Sequence, residues 1–213
     1  MSINIYVYEG SWDKPSEAPQ VLPYLQAYEQ TFRDVRVHHR SIRNADDLGY
    51  YVSKIPKNDQ AFVYVACHGN YDYLQPSSRA ERIGMVALKD CLSKAKPNAI
   101  GFLHFGCCHF LTAQYESRRD RLTQLLSAAS GSVFVSGYTT AVDWLPSTLL
   151  DLAFLAEVYV PWRKEPTKRA LSQRQAQKFI TSDYLVPVRT LGFSSISGLI
   201  RENPLLPERL STQ

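Results

Sequence analysis

The chain alternates short apolar runs with stretches of helical spacing. INIYVY (Ile3 to Tyr8) is β-rich and predicts a first strand, and the turn residues GSWDKPSEAP close it. VLPYLQAYEQTF (Val21 to Phe32) places Leu22, Leu25 and Tyr28 on one face and predicts a helix. DVRVHHRSI alternates apolar and polar positions as a strand does, and NADDLGYYVSKI opens on Asn44, a residue suited to cap a helix. AFVYVAC (Ala61 to Cys67) and AIGFLHFG (Ala99 to Gly106) are nearly continuous apolar runs, the pattern of strands buried on both faces. VALKDCLSKA predicts a short helix. Helical pattern returns from Phe110 to about Ser130, SVFVSG (Ser132 to Gly137) is a further strand, and PSTLLDLAFLAEVY is a helix with a proline in its first turn.

Two stretches carry no such pattern. Gly69 to Met85 is rich in Asn, Asp, Pro, Ser and Arg and predicts a long polar loop, ordered by a substrate or partner. Within it Tyr71, Asp72 and Tyr73 are placed to border a cleft, or are ordinary loop residues. KRALSQRQAQKFI predicts a more polar helix, and the tail from Tyr184 fits no element. Strands and helices alternate without repeats. The expected fold is therefore α/β: a three-layer α/β/α sandwich around a mostly parallel central sheet. The length of 213 residues suits one domain spanning 1–213.

Composition changes this picture little. The chain is 45% hydrophobic and 21% charged, with a net charge of +4 spread along its length. That distribution gives no footing for direct nucleic-acid binding; RKEPTKR (Arg163 to Arg169) reads as a solvated loop or helix start. No run reaches the ~18 apolar residues of a membrane span. MSINIYVYEGSW lacks a basic segment followed by a long apolar stretch, so no signal peptide is expected. The four cysteines, Cys67, Cys91, Cys107 and Cys108, are not spaced as a disulfide scaffold. The expectation is a cytoplasmic protein with free thiols and no membrane association.

The candidate chemistry lies where two buried runs stop. One ends in Cys67-His68-Gly69, the other in Gly106-Cys107-Cys108-His109. In parallel sheets, ligand sites lie beyond the carboxyl ends of the strands. If the two strands are neighbours, His68 and Cys107 share one edge. A thiol attacks a carbonyl as thiolate, and an imidazole beside it takes up the proton and returns it to the leaving amine. Backbone amides at Gly69 and Cys107 are candidates to hold the oxyanion. This is a constellation for acyl transfer. Cys67 and Cys91 read as packing residues, and His38, His39 and His104 as ordinary satisfied polar groups. Cys67, His68, Cys107, Cys108 and His109 offer zinc-ligand types, but without CxxC spacing, and strand neighbours point to opposite faces. No metal and no cofactor is expected.

Four stretches, in order, resemble the caspase-like (clan CD) cysteine peptidases, and within them the CHAT group related to separase: QAFVYVACHGNYD, AIGFLHFGCCHF, GSVFVSGYTTAVDWLPSTLLDLAFLAEVY and RALSQRQAQKFI. The resemblance implies a cysteine endopeptidase with His68 as the catalytic histidine and Cys107 as the nucleophile. It also implies an oxyanion held at Gly69 and Cys107, and, across a one-residue gap, Asp143 as a substrate-binding acid for a basic side chain. The family has Ala before the cysteine where this chain has Gly106, and Trp where it has Tyr138. The doubled cysteine leaves the register open by one position. The resemblance further implies a protein substrate, a regulatory protein partner and, for bacterial members, a place in antiviral defence by cell death. A module of the same fold that binds or scaffolds without peptidase activity is the alternative.

Overall fold

In a computed structural model, which describes residues 2–12, 20–71, 73–77, 80–111, 116–132 and 134–164, the apolar runs form one sheet. Its strands are β1 (Ile3–Glu9), β2 (Val35–Ser41), β3 (Ala61–Ala66), β7 (Ile100–Phe105) and β8 (Phe134–Gly137), in the order β2-β1-β3-β7-β8 with every pair parallel. Between them run α1 (Leu22–Thr31), α2 (Ala45–Lys54), α3 (Met85–Leu92) and α4 (Glu116–Ser130). After β8 come α5 (Trp144–Phe154), a π-helical segment (Leu155–Tyr159) and α6 (Val160–Lys164).

Strand alternation divides the core in two, as a sheet covered on both faces requires. Ala61, Val63 and Val65 of β3 pack with Leu48 and Val52 of α2, Leu88 and Leu92 of α3, and Leu126 of α4. Phe62, Tyr64 and Ala66 pack on the other face with Leu25 of α1, Leu150 and Phe154 of α5, and Trp162 of α6. The result is the expected three-layer α/β/α arrangement. Asn44 caps α2 as its sequence predicts: its side chain accepts the Asp47 N–H at 2.9 Å.

Three expectations need revision. The polar stretch after His68 is not all loop: β4 (His68–Asn70), β5 (Tyr73–Gln75) and β6 (Ile83–Gly84) form a small antiparallel sheet anchored by buried Leu74 and Ile83. Strands of two or three residues are too short to show an alternating pattern. Phe110 and Leu111 lie in a turn and fill the core rather than opening the expected helix, which is described over Glu116–Ser130. The helix expected to stop at Tyr159 continues to Lys164 through the π-helical segment. Pro161 has no N–H to give the ladder and its ring crowds the carbonyl four residues back, so the helix widens by one residue just before it. The helix expected over Lys168–Ile180, the tail, and Asp72 lie outside the described residues. No helix among the described residues is long and apolar enough to cross a membrane.

Candidate functional site

The chain leaves β1 in one direction to form β2 and in the other to form β3, β7 and β8, so the strand order reverses between β1 and β3. A crevice outside the carboxyl ends of the strands at such a reversal is the usual place for a ligand in an α/β sheet. Cys67, His68 and Gly69 follow β3 there, and Gly106 and Cys107 follow the adjoining β7. The Gly106 N–H donates to the Val65 carbonyl at 2.9 Å and the Gly10 N–H to the Ala66 carbonyl at 2.9 Å, which knits the three strand ends together.

Gly69 touches the Cys107–Cys108 turn directly. A Cβ on Gly69 would stand 2.7 Å from the Cys107 Cβ and 3.0 Å from the Cys108 carbonyl oxygen, so only glycine fits. The two sequence motifs are thus in contact. His68 is half-buried, its ring edge-on to Trp12 with centroids 5.3 Å apart, and its Nε2 is hydrogen-bonded to the Trp12 carbonyl. A carbonyl only accepts, so Nε2 carries a proton, and Nδ1 is the nitrogen left for proton exchange with a neighbour.

Trp12 is held in turn by Glu9, the buried last residue of β1. The Trp12 indole N–H donates to the Glu9 carboxylate at 3.2 Å, and the same oxygen accepts the Gln20 and Val21 N–H groups at 2.6 and 3.0 Å. The other oxygen pairs with His39 at 2.9 Å. Glu9 therefore fastens both the start of α1 and the Trp12 carbonyl that orients His68. Sequence reasoning missed it; the one signal was an acid closing an otherwise apolar strand.

The two cysteines of the turn differ. Cys107 is fully buried, its Sγ 3.8 Å from the Cys67 Sγ and 3.4 Å from the Val65 carbonyl oxygen. Burial, and then the neighbouring Cys67, push the Cys107 thiol well above its ordinary pKa. Cys108 is partly exposed and lies on the other side of the turn, where its sulfur accepts the Val142 N–H at 3.4 Å. The His109 N–H donates to the Thr140 carbonyl and the Leu111 N–H to the Tyr138 carbonyl, each at 3.0 Å, so the turn is tied to the segment after β8. Asp143 is exposed, one residue beyond Val142 and at the start of α5. Tyr71 lies against the His109 ring, 5.3 Å between centroids, whereas Tyr73 carries the Arg82 guanidinium over its ring at 4.3 Å.

A buried polar network lies behind the turn, on the α5 side of the sheet. The Tyr64 hydroxyl donates to Asp151 Oδ2 at 2.5 Å, His104 Nε2 meets Asp151 Oδ1 at 2.8 Å, and the Tyr138 hydroxyl also donates to Oδ1. His104 Nδ1 meets the Ser136 hydroxyl at 2.7 Å. Burial first, and then the Asp151 charge, raise both tyrosines well above their ordinary pKa. This network accounts for Gly106: an added Cβ would stand 2.5 Å from Tyr64 Cε2 and 2.7 Å from its hydroxyl oxygen. His104 is a satisfied polar residue, as its sequence position predicted. Its partner Asp151 was not anticipated, although an acid inside the apolar helix LLDLAFL is the complementary signal.

Among the described residues no three His, Cys, Asp or Glu side chains gather in a way that could hold a metal ion. No family model matches this chain, and no curated protein matches it.

Proposed function

We propose that this chain is a cysteine endopeptidase working at the junction of β3 and β7, with Cys107 as nucleophile and His68 as general acid/base. The observation that carries this reading is the packing of Gly69 onto the Cys107–Cys108 turn, which brings the two motifs to one edge of the sheet. The Cys107 sulfur attacks the scissile carbonyl while its proton passes to His68 Nδ1. His68 then protonates the leaving amine, and water hydrolyses the thioester to release the acid and the free thiol. The Trp12 carbonyl, by accepting from Nε2, fixes the tautomer this needs. The Gly69 and Cys107 N–H groups hold the oxyanion, and Asp143 receives a basic side chain of the protein substrate.

The described form is the resting one. Its Cys107 thiol is sealed and donates to the Val65 carbonyl, so attack requires the Gly106–Phe110 turn to swing the sulfur outward. The turn opens rarely in the chain alone, which labels slowly, and a regulatory protein partner raises the open population in an antiviral-defence setting.

The same burial favours a second reading, a binding or scaffold module without peptidase activity. Labelling the purified chain with a thiol-directed peptide electrophile separates the two. Loss of labelling in Cys107→Ala and His68→Ala, with Cys108→Ala unaffected, is the expected result. Loss confined to Cys108→Ala moves the nucleophile to the partly exposed sulfur. Equal labelling of wild type and all three variants refutes the peptidase.

A further inference from the structure

β3 and β7 are paired in register, Val65 opposite Phe105. Two residues on, the same register sets Cys67 opposite Cys107, and both side chains point to the face covered by α2, α3 and α4. Their sulfurs are 3.8 Å apart and both are fully buried. Neighbouring strands lie about 4.8 Å apart, inside the roughly 4.4–6.8 Å range of Cα separations that a disulfide spans. A bond of about 2.05 Å then asks the sulfurs to approach by about 1.8 Å, within reach of side-chain rotation alone. The other two thiols are not aligned in this way. Cys108 faces Val142, and Cys91 donates to the Ala45 carbonyl at 3.0 Å. We propose that Cys67 and Cys107 form a reversible disulfide, a modification site at the junction of the two strands. On the peptidase reading, on which this clause rests, the disulfide also switches off the nucleophile.

The oxidant is a peroxide. The Cys107 sulfur attacks one peroxide oxygen, the O–O bond breaks, and a sulfenic acid and water result. The Cys67 sulfur attacks the sulfenic sulfur, the S–O bond breaks, and the departing hydroxide takes the Cys67 proton as a second water. Two thiols lose two electrons and two hydrogens, and the peroxide becomes two waters. Burial and the raised thiol pKa make the reaction slow, with a rate set by opening of the turn. A small thiol reductant reverses it.

The test treats the reduced chain with hydrogen peroxide over a time course that runs well past the consumption of Cys108, with and without urea just below the unfolding transition. Remaining thiols are alkylated in denaturant, the chain is digested without reduction, and the peptides are mapped by mass. The expected product joins the Cys67 peptide to the Cys107 peptide, persists in Cys108→Ser, and disappears after dithiothreitol. Cys67 and Cys107 both still alkylated at the end of a course that includes urea just below the unfolding transition, where the turn opens, overturns the proposal. So does a cross-link from Cys67 to Cys108. Electrophile labelling before and after oxidation tests the switch separately. Labelling lost on oxidation and restored by reductant supports it. A mapped disulfide in a chain that never labels when reduced leaves the modification site standing and removes the peptidase reading.

Discussion

Replacing Asp151 by alanine tests how the strand ends are held. The carboxylate is buried and receives the Tyr64 hydroxyl, the Tyr138 hydroxyl and His104 Nε2. Tyr138 keeps a second acceptor, the Ser147 carbonyl at 3.0 Å, so its hydroxyl is not orphaned by the change. The Tyr64 hydroxyl and His104 Nε2 lose their acceptor, with only Thr148 left beside the Tyr64 hydroxyl and Ser136 still holding His104 Nδ1. A buried donor left without a partner costs about 1–3 kcal/mol, so Asp151→Ala should lose about 2–5 kcal/mol. Against a total stability of about 5–15 kcal/mol for a domain, that is a large fraction. With a urea slope of about 1–3 kcal/mol per molar, the unfolding midpoint should fall by roughly 1–2 M at unchanged slope. Asp151→Asn retains one acceptor oxygen and should lose only about 1–2 kcal/mol. Tyr64→Phe should cost less in the Asp151→Ala background than in the wild type, because the hydroxyl it removes is already unpaired. Urea titrations followed by circular dichroism give all these values. An Asp151→Ala midpoint indistinguishable from wild type, or additive costs in the double variant, would refute the claim that this network stabilises the sheet behind the Cys107 turn.

Gly69→Ala drives a Cβ to 2.7 Å from the Cys107 Cβ, so it should cost about 1–3 kcal/mol in urea unfolding and reduce electrophile labelling out of proportion to that loss. Glu9→Ala removes the oxygen that accepts from Trp12, Gln20 and Val21 and the one paired with His39; a loss of roughly 2–4 kcal/mol is expected, with slower labelling because the Trp12 carbonyl no longer fixes His68. Burial raises Tyr28 from 10.0 to about 12 and lifts Tyr6, Tyr8, Tyr64, Tyr138 and Tyr159 as well. Below pH 10 these groups are protonated in both states and their contribution is fully present. Above it the unfolded chain loses protons first, so thermal melts should show stability falling steeply as pH rises through about 10–12.

The fold was legible because burial on both faces leaves a mark in a single chain. Runs such as AFVYVA and GFLHF have no polar face, and helices of opposite apolar stripe separate them, which leaves a parallel sheet as the arrangement that covers both sides. The short strands around Leu74 and Ile83 were illegible because each is held by one or two buried residues among turn formers. The passage of α5 into α6 was hidden because a proline normally ends a helix, and here the π-helical segment absorbs it.

Residue type and local pattern fixed the strands, the helix faces and the position of the reactive side chains at two strand ends. These depend on neighbours within a few residues, and local periodicity records them. Three things came only from the tertiary structure: the Glu9 carboxylate behind Trp12, the Asp151 network behind Gly106, and the pairing of Cys67 with Cys107 in a sealed interior. The last two join residues far apart in the chain, and Glu9 reaches beyond Trp12 to Gln20, Val21 and His39. Hydrogen-bond geometry and desolvation act through space, so a thiol that looks reactive in sequence can be a buried neutral donor once the strands are side by side.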